Sequence, residues 1–224
     1  MTTTSTGITP APNIVDPALV DRRERPRDLT NDEWHDVMSP PRELAARAER
    51  LIPAGPGEIL TEPELMSLVS DVFATPDLWR PLVVTDPDRR RYRLLFEDER
   101  IDLWILSWMP GQFTGYHDHG DAAVGLIAAA GEVVERQLSL TGGAVHRRLT
   151  AGDLRSGPSG YIHSVGHSAG TPAVTIHAYS PPLTQVGQYR ADASGVLIRT
   201  IQHGRQELVD HTIAALGNDL DGAA

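Results

Sequence analysis

The feature that most restricts the possible fold is a long series of short, strand-like segments that begins near residue 90. The segments are rich in β-branched and aromatic residues and are separated by turn signals such as Pro110-Gly111 and Gly157-Pro158. Many short strands with close turns are typical of a sandwich or barrel, of which the double-sheet jelly roll is one form. Strands are predicted near residues 91–96, 101–108, 113–118, 123–130, 132–139, 144–149, 161–166, 172–179, 185–190 and 195–201.

Two helices are predicted ahead of these strands. Residues 41–52 begin at a proline and carry apolar side chains at helical spacing. A second helix is expected to follow Thr61, to include Pro63 in its first turn and to end at Thr75-Pro76. The fold class is therefore expected to be mainly β, a barrel preceded by N-terminal helices.

The predicted domain organisation has three parts. Residues 1–40 are polar and contain several prolines, which favours a flexible N-terminal extension. Residues 41–204 are expected to form the helices and the barrel. Residues 205–224 are interpreted as a C-terminal tail with a short helix near residues 206–216.

Composition excludes several classes of function. The net charge is -10 and no basic patch with interleaved aromatic residues occurs, which argues against a nucleic-acid partner. Without any cysteine, the chain has no disulfide and no thiol for catalysis or metal binding. The sequence has no apolar run of membrane-spanning length and no secretory signal, so a cytoplasmic protein without a membrane partner is expected. A monomer or a small homo-oligomer is expected.

Three histidines form the candidate metal site. His117 and His119 are two residues apart, so in an extended strand both side chains project from one face. His163 adds a third imidazole from a later part of the chain. A three-nitrogen site with open positions suits iron or another first-row metal, and histidines also accept nickel, zinc or copper.

The two stretches that contain these histidines resemble the two motifs of the cupin superfamily. The spacing fits every motif position, but two residue types differ from the family pattern: Val124 replaces a metal-binding glutamate, and His167 replaces an asparagine. His167 is expected to be a turn residue or a residue that supports the metal site. The matching positions are Gly111, His117, His119, Val124 and Gly131 in the first motif and Gly152, Pro158, Gly160, His163 and His167 in the second.

The replaced glutamate has an electrostatic consequence. Three neutral imidazoles would leave the charge of a divalent metal uncompensated by the protein. Such a site favours an anionic ligand from the substrate, and a thiolate is an obvious candidate because coordination deprotonates a thiol.

A downstream segment, Thr175-Ile-His177-Ala-Tyr179-Ser-Pro-Pro, resembles the signature of the cysteine dioxygenase (thiol dioxygenase) family, with Thr175 in place of the family's serine. Strand alternation independently places Thr175, His177 and Tyr179 on one face and the apolar residues between them on the other. A strand that lines a polar cavity would show this pattern.

The resemblance implies a set of site residues. His117, His119 and His163 would hold Fe(II), and Tyr179, His177 and Thr175 would be the catalytic residues, with His177 orienting the Tyr179 phenol. Some family members link this tyrosine to a cysteine at the Val124 position, which is impossible here, so Tyr179 is expected to be a free phenol.

A carboxylate-binding arginine on an early strand is also implied by the resemblance. Arg93 matches best, although Arg91 lies on the same predicted strand face and the pattern does not separate the two. Such an arginine would hold a substrate carboxylate through paired hydrogen bonds.

The expected reaction is the oxidation of a small thiol by O2, with L-cysteine giving cysteine sulfinate. Two alternatives remain open: a dioxygenase for another thiol such as 3-mercaptopropionate, and a non-catalytic metal-binding or ligand-sensing cupin.

Overall fold

The computed structural model describes residues 37–53, 59–138, 144–191 and 196–203. Most of the predicted extension over residues 1–40 lies outside these ranges, as do the predicted tail and its short helix. The domain boundaries therefore stay predictions.

Within the described ranges, the helices α1 (Arg42–Glu49), α2 (Glu62–Phe73) and α3 (Pro76–Trp79) precede the sheets, and α3 continues into a 3₁₀ turn. The Glu64 carboxylate accepts hydrogen bonds from the backbone N–H and the hydroxyl of Thr61, and this capping box fixes where α2 begins. Within the described ranges, no helix has the length and apolar character needed to cross a membrane.

Eleven strands follow within the described ranges, in close agreement with the predicted segments. They are β1 (Arg91–Glu97), β2 (Asp102–Trp108), β3 (His117–Asp118), β4 (Ala123–Ala130), β5 (Glu132–Leu138), β6 (Ala144–Thr150), β7 (Leu154–Gly157), β8 (His163–Gly166), β9 (Ala173–Ser180), β10 (Gln185–Ala191) and β11 (Leu197–His203).

Three predictions of local structure were wrong. Of the strand predicted over 113–118, only the two residues of β3 and an isolated bridge at Phe113 are observed. Residues 114–116 between them form a loop beside the histidines. Strand β7 was missed, since it is short and contains two charged or polar residues in four. The first helix ends at Glu49 rather than at residue 52.

The strands form two antiparallel sheets whose facing sides share one core. The first sheet has the order β1-β2-β9-β4-β7 and the second has the order β11-β10-β3-β8-β5-β6. Side chains from both sheets meet in this interior, including Trp104 and Val124 from the first and Val165 and Val186 from the second. The mainly β jelly-roll barrel with preceding helices is confirmed.

The helices cover the outer side of the first sheet. Leu65, Leu68 and Val69 of α2 pack in a second apolar cluster with Ile127 of β4 and Ile176 of β9. Burial of apolar side chains against both faces of a sheet is what holds such a layer in place.

Strand β9 separates the two cores as its alternation predicted. Tyr179 belongs to the interior cluster, whereas Val174, Ile176 and Ala178 belong to the helix-facing cluster. Thr175 and His177 are buried on the same face as Tyr179. The polar face of this strand therefore looks into the barrel.

Substitution of Gly125 by alanine should destabilise the fold, because α2 lies directly on this residue. A Cβ atom there would come within 2.8 Å of the Leu65 Cβ and 2.9 Å of the Leu65 carbonyl carbon. We expect the free energy of unfolding to fall by about 1–3 kcal/mol, as for other overpacked sites.

The matched control is Gly115→Ala, since a Cβ at Gly115 would meet nothing within 4 Å. Urea denaturation of both variants measures the difference. Equal stability of the two variants would contradict the close approach of α2 to β4.

Candidate metal centre

The three predicted histidines meet inside the barrel. His117 of β3 lies directly opposite His163 of β8, and His119 follows β3 on the same side as His117. The ligand atoms offered by the three rings lie within 4.8 Å of one another, and all three residues are buried. The ring centroids are 4.7–5.1 Å apart. The structure therefore brings together the three rings that the sequence grouped.

Two of the rings are held in the tautomer that a metal ligand needs. The Nδ1 of His117 lies 2.8 Å from the Gly115 carbonyl oxygen, which can only accept, so this nitrogen carries the proton. The Nδ1 of His163 lies 3.0 Å from Oε1 of Glu135 and donates to it. In both rings the lone pair is then at Nε2. Buried imidazole nitrogens with lone pairs at this spacing fit a metal ion at the roughly 2.1 Å metal–nitrogen distance of histidine sites.

Burial keeps the ring of His163 neutral. Its surroundings lower its pKa to about 4, since burial penalises the charged form more than the hydrogen bond to Glu135 favours it. His163 therefore needs to lose no proton at neutral pH in order to bind a metal.

A buried carboxylate lies directly behind His163. Glu135 of β5 is completely buried, and it accepts hydrogen bonds from the Tyr161 hydroxyl at 3.0 Å and from Nε of Arg155 at 3.0 Å as well as from His163. Burial raises the pKa of Glu135, but its contacts with His163, Arg155 and Tyr161 outweigh burial and hold the pKa at about 2. The glutamate is therefore ionised.

Sequence reasoning missed Glu135. The prediction that no protein anion accompanies the three imidazoles was wrong, because this carboxylate contacts one of the rings from behind. Val124, the position of the family's glutamate ligand, is buried among apolar side chains. The sequence does contain a signal for Glu135. This residue lies two positions after the core residue Val133 in the same strand, so strand alternation places its carboxylate on the inward face.

A second buried carboxylate, Asp118, anchors β3 from its other side. It accepts hydrogen bonds from Nε and an Nη of Arg199, from the Tyr189 hydroxyl and from the Gly120 backbone N–H, at 2.6–2.8 Å. Burial opposes ionisation, but these donors lower the pKa of Asp118 to about 2. Through Asp118, strands β10 and β11 fix the short strand that carries His117.

A directed chain of hydrogen bonds runs along the polar face of β9. The Trp108 indole N–H donates to Oγ1 of Thr175 at 2.9 Å. Oγ1 of Thr175 also lies 2.9 Å from Nε2 of His177, and a threonine hydroxyl that donates there determines the tautomer of the ring. His177 then carries its proton on Nδ1 and donates to the Tyr179 oxygen, 2.9 Å away.

This chain leaves the Tyr179 phenol as a donor beside the histidines. Because its oxygen accepts from His177, its own proton can be given to another group. The Tyr179 ring lies 4.8 Å from the His119 ring. The structure thus brings Tyr179, His177 and Thr175 together with the three histidines, as the sequence predicted, and adds Trp108.

The structure does not bring Arg93 to the histidines. Tyr92 and Leu94 of β1 face the interior, so Arg93 between them faces the other side, opposite Ile105 of the helix-facing core. Arg91 is on that same outer side and pairs with Asp86 at 3.4 Å. Arg93 was chosen by its match to the family pattern, which does not specify the face of the strand, and Arg91 shares the face of Arg93.

Arg90 is the arginine of this run that is buried, with its guanidinium 4.7 Å over the Trp108 ring. Within β1 itself, Arg91 and Arg93 both face away from the interior.

Two further histidines of the described ranges, His167 and His146, lie outside the group of three. His167 is buried, and its Nδ1 donates to the Glu132 carbonyl oxygen at 2.6 Å, so it ties the end of β8 to β5. It is not one of the three grouped ligands. His146 lies on an exposed position of β6, as expected.

A sequence model of the family described as "Cysteine dioxygenase type I" matches residues 56–192, more than half of the chain. The chain belongs to this family. The matched region contains all three histidines, Glu135 and the polar face of β9. No curated protein matches the chain significantly.

Solved structures resemble parts of the fold. The protein TT1209 from Thermus thermophilus is 24% identical, with a TM-score of 0.42, and the match covers 46% of this chain and 93% of that one. A double-stranded β-helix protein from Klebsiella pneumoniae is 16% identical, with a TM-score of 0.41 and coverages of 54% and 92%. A cupin superfamily protein from Desulfitobacterium hafniense is 13% identical, with a TM-score of 0.39 and coverages of 45% and 84%. At these TM-scores the likenesses say nothing about the reaction.

Replacement of Asp118 by asparagine should cost stability in a pH-dependent way. The pKa of Asp118 in the folded chain, about 2, is below its ordinary value of 3.8. Its stabilising effect is therefore complete above about pH 4 and is lost as the pH falls towards 2. At pH 7 we expect the free energy of unfolding of Asp118→Asn to be lower by about 2 kcal/mol.

Urea denaturation of wild type and Asp118→Asn between pH 7 and pH 3 tests this pH dependence. The difference between their free energies of unfolding should become smaller as the pH approaches 3. Asp121→Asn, at an exposed position, should stay within about 0.5 kcal/mol of wild type. If wild type and Asp118→Asn differ in free energy of unfolding by the same amount at every pH, the ionised Asp118 carboxylate is not the cause of the stability difference.

Proposed function

We propose that the protein is an Fe(II)-dependent thiol dioxygenase, with L-cysteine as the first candidate substrate and cysteine sulfinate as its product. The observation that carries the proposal is the buried group of three histidines with the Tyr179 ring 4.8 Å from His119. Membership of the cysteine dioxygenase type I family supports the same reaction class.

The proposed reaction adds both atoms of O2 to one sulfur atom. A thiol RSH and O2 give the sulfinic acid RSO2H, so atoms balance without a further reductant. The sulfur loses four electrons and the two oxygen atoms gain them. When bound, Fe(II) would supply the positions at which thiolate and dioxygen meet and the redox activity that O2 requires.

The chain's own residues would hold and orient the reactants. His117, His119 and His163 would hold the metal, and their neutral rings leave room for the charge of a thiolate ligand. Tyr179 would donate its phenolic proton in a hydrogen bond to the substrate or to oxygen. His177 and Thr175 would orient that phenol, and the buried surroundings would keep water away.

A second candidate is a dioxygenase for another small thiol, such as 3-mercaptopropionate. The outward direction of Arg93 does not separate cysteine from 3-mercaptopropionate, because both carry a carboxylate, and it favours a thiol without one, such as cysteamine. The substrate carboxylate, if there is one, would then be bound by other groups.

Oxygen consumption with a panel of thiols tests the proposed function. Protein reconstituted anaerobically with Fe(II) should consume one O2 per sulfinate formed, with cysteine, 3-mercaptopropionate and cysteamine compared. A fast reaction of cysteamine, which has no carboxylate, would show that no carboxylate clamp is needed. Cysteine turnover that is unchanged in Arg93→Ala is expected from the outward direction of Arg93.

The controls are two histidine variants. His163→Ala should lose bound iron and oxygen consumption together, whereas His146→Ala, at an exposed position, should keep both. Tight binding of iron without thiol-dependent oxygen uptake would contradict the dioxygenase and would favour a metal-binding or ligand-sensing protein.

Removal of the Tyr179 hydroxyl should slow turnover without removing the metal. Loss of one preorganised donor costs about 10²-fold in kcat in other enzymes, and a similar decrease is expected for Tyr179→Phe. Iron content, measured by elemental analysis, should be unchanged because Tyr179 is not a ligand.

The Thr175→Ser and Thr175→Val pair tests the chain behind Tyr179. Serine keeps the hydroxyl that links Trp108 to His177, and valine keeps the shape of threonine without it. Turnover should survive in the serine variant and fall in the valine variant. Equal activity of both variants would show that this link does not orient the phenol.

A further inference from the structure

We propose that Glu135 is a positioning residue of the metal centre: it orients His163 and supplies negative charge from behind that ring to a site whose grouped ligands, among the described residues, are all histidines. The inference rests on the three-histidine metal site of the proposed function, but not on the identity of the reaction. Its test is therefore an equilibrium measurement of metal binding.

The contacts of Glu135 leave little freedom in its position. Its oxygens accept from three donors that come from separate parts of the chain: Arg155 of β7, Tyr161 in the loop before β8, and His163. The side chain is completely buried. A carboxylate held by three donors cannot turn away from the imidazole without leaving buried polar groups unpaired.

This arrangement determines the orientation of the His163 ring. An ionised carboxylate only accepts hydrogen bonds, so Nδ1 of His163 must donate to Glu135 and Nε2 must carry the lone pair. His163 Nε2 is buried and makes no hydrogen bond among the described residues. Carboxylates that accept from a metal-binding histidine both fix its ring and make it a stronger ligand.

The charge of Glu135 is only partly neutralised by its arginine. The Arg155 side chain is 27% exposed whereas that of Glu135 is 0% exposed. Water screens the arginine more than the carboxylate, so the glutamate contributes net negative potential on the metal side. In this chain, with Val124 at the position of the glutamate in the cupin motif, that potential would offset part of the metal's charge.

Equilibrium Co(II) binding to the metal-free full-length protein tests the inference, with a chelator of known affinity as the competitor. The visible absorption of bound Co(II) gives the occupancy and reports the ligand geometry without any enzyme turnover. We expect about a 10-fold weaker affinity for Glu135→Gln, which keeps an acceptor but loses the charge, and up to about 100-fold for Glu135→Ala.

Two matched variants separate this role from general damage. Asp153→Asn removes the charge of a carboxylate that accepts hydrogen bonds from the backbone N–H and the hydroxyl of Thr150 in the turn between β6 and β7, and not from a ligand ring. Glu132→Gln removes a charge from the same strand at a position paired with the exposed Arg148. Both should keep Co(II) affinity within about threefold of wild type, whatever they do to stability.

Thermal unfolding of the metal-free proteins completes the test, because it measures stability apart from binding. Wild-type Co(II) affinity in a folded Glu135→Gln variant would overturn the inference. So would a loss of affinity that Asp153→Asn shares to the same degree. If Glu135→Gln proves too unstable to measure, Tyr161→Phe takes its place, because it removes one donor to the carboxylate oxygen that His163 also contacts. The Co(II) spectrum of Tyr161→Phe should then differ from that of wild type. An unchanged spectrum would overturn the inference. Wild-type protein that binds Co(II) yet oxidises no thiol would contradict the dioxygenase but not the role of Glu135.

Discussion

The antiparallel pairing of His117 with His163 is the contact on which the site depends. Strand β3 has only two residues and pairs with β8 on one side and with β10 on the other. The pairing with β8 brings together two imidazoles from distant parts of the chain. So short a strand has few ladder hydrogen bonds of its own. Hydrogen bonds from Arg199 and Tyr189 to Asp118 hold this strand in addition, and Arg199 connects the site to β11, the last described strand.

The two sides of the first sheet have different roles: the outer side contributes packing, and the inner side carries the polar residues of the site. Its outer side is buried under α2 by aliphatic side chains, with Gly125 allowing the helix to approach closely. Its inner side carries large aromatic residues and the polar chain on β9. Because both sides are buried, a shift of register by one residue would move polar groups into an apolar core, and this specifies the alignment strongly.

Much of the fold and of the site could be predicted from local pattern. The period of two on β9 correctly separated Thr175, His177 and Tyr179 from their apolar neighbours, and the spacing of His117 and His119 placed both on one side. These predictions succeeded because strand alternation is a property of the backbone. It requires no knowledge of which strands are neighbours.

The errors share a different cause. Arg93 was assigned to the inner face by matching residue types, but the register of β1 is set by its pairing with β2, which puts Tyr92 and Leu94 inside. Glu135 was missed because its function depends on contacts with Arg155, Tyr161 and His163, which lie 20–28 residues away in the sequence. Such contacts between distant residues leave little trace in local pattern.

The directed hydrogen bonds that begin at Trp108 give the chamber a fixed polarity. An indole can only donate, so the Thr175 oxygen uses one lone pair for Trp108; when the threonine proton goes to Nε2 of His177, the Nδ1 proton of that ring goes to the Tyr179 oxygen. The phenol then has a hydrogen atom to offer, which suits a thiolate, a carboxylate or a reduced oxygen species. In this way an indole at the start of the chain of hydrogen bonds would bias which end of a bound molecule faces the phenol.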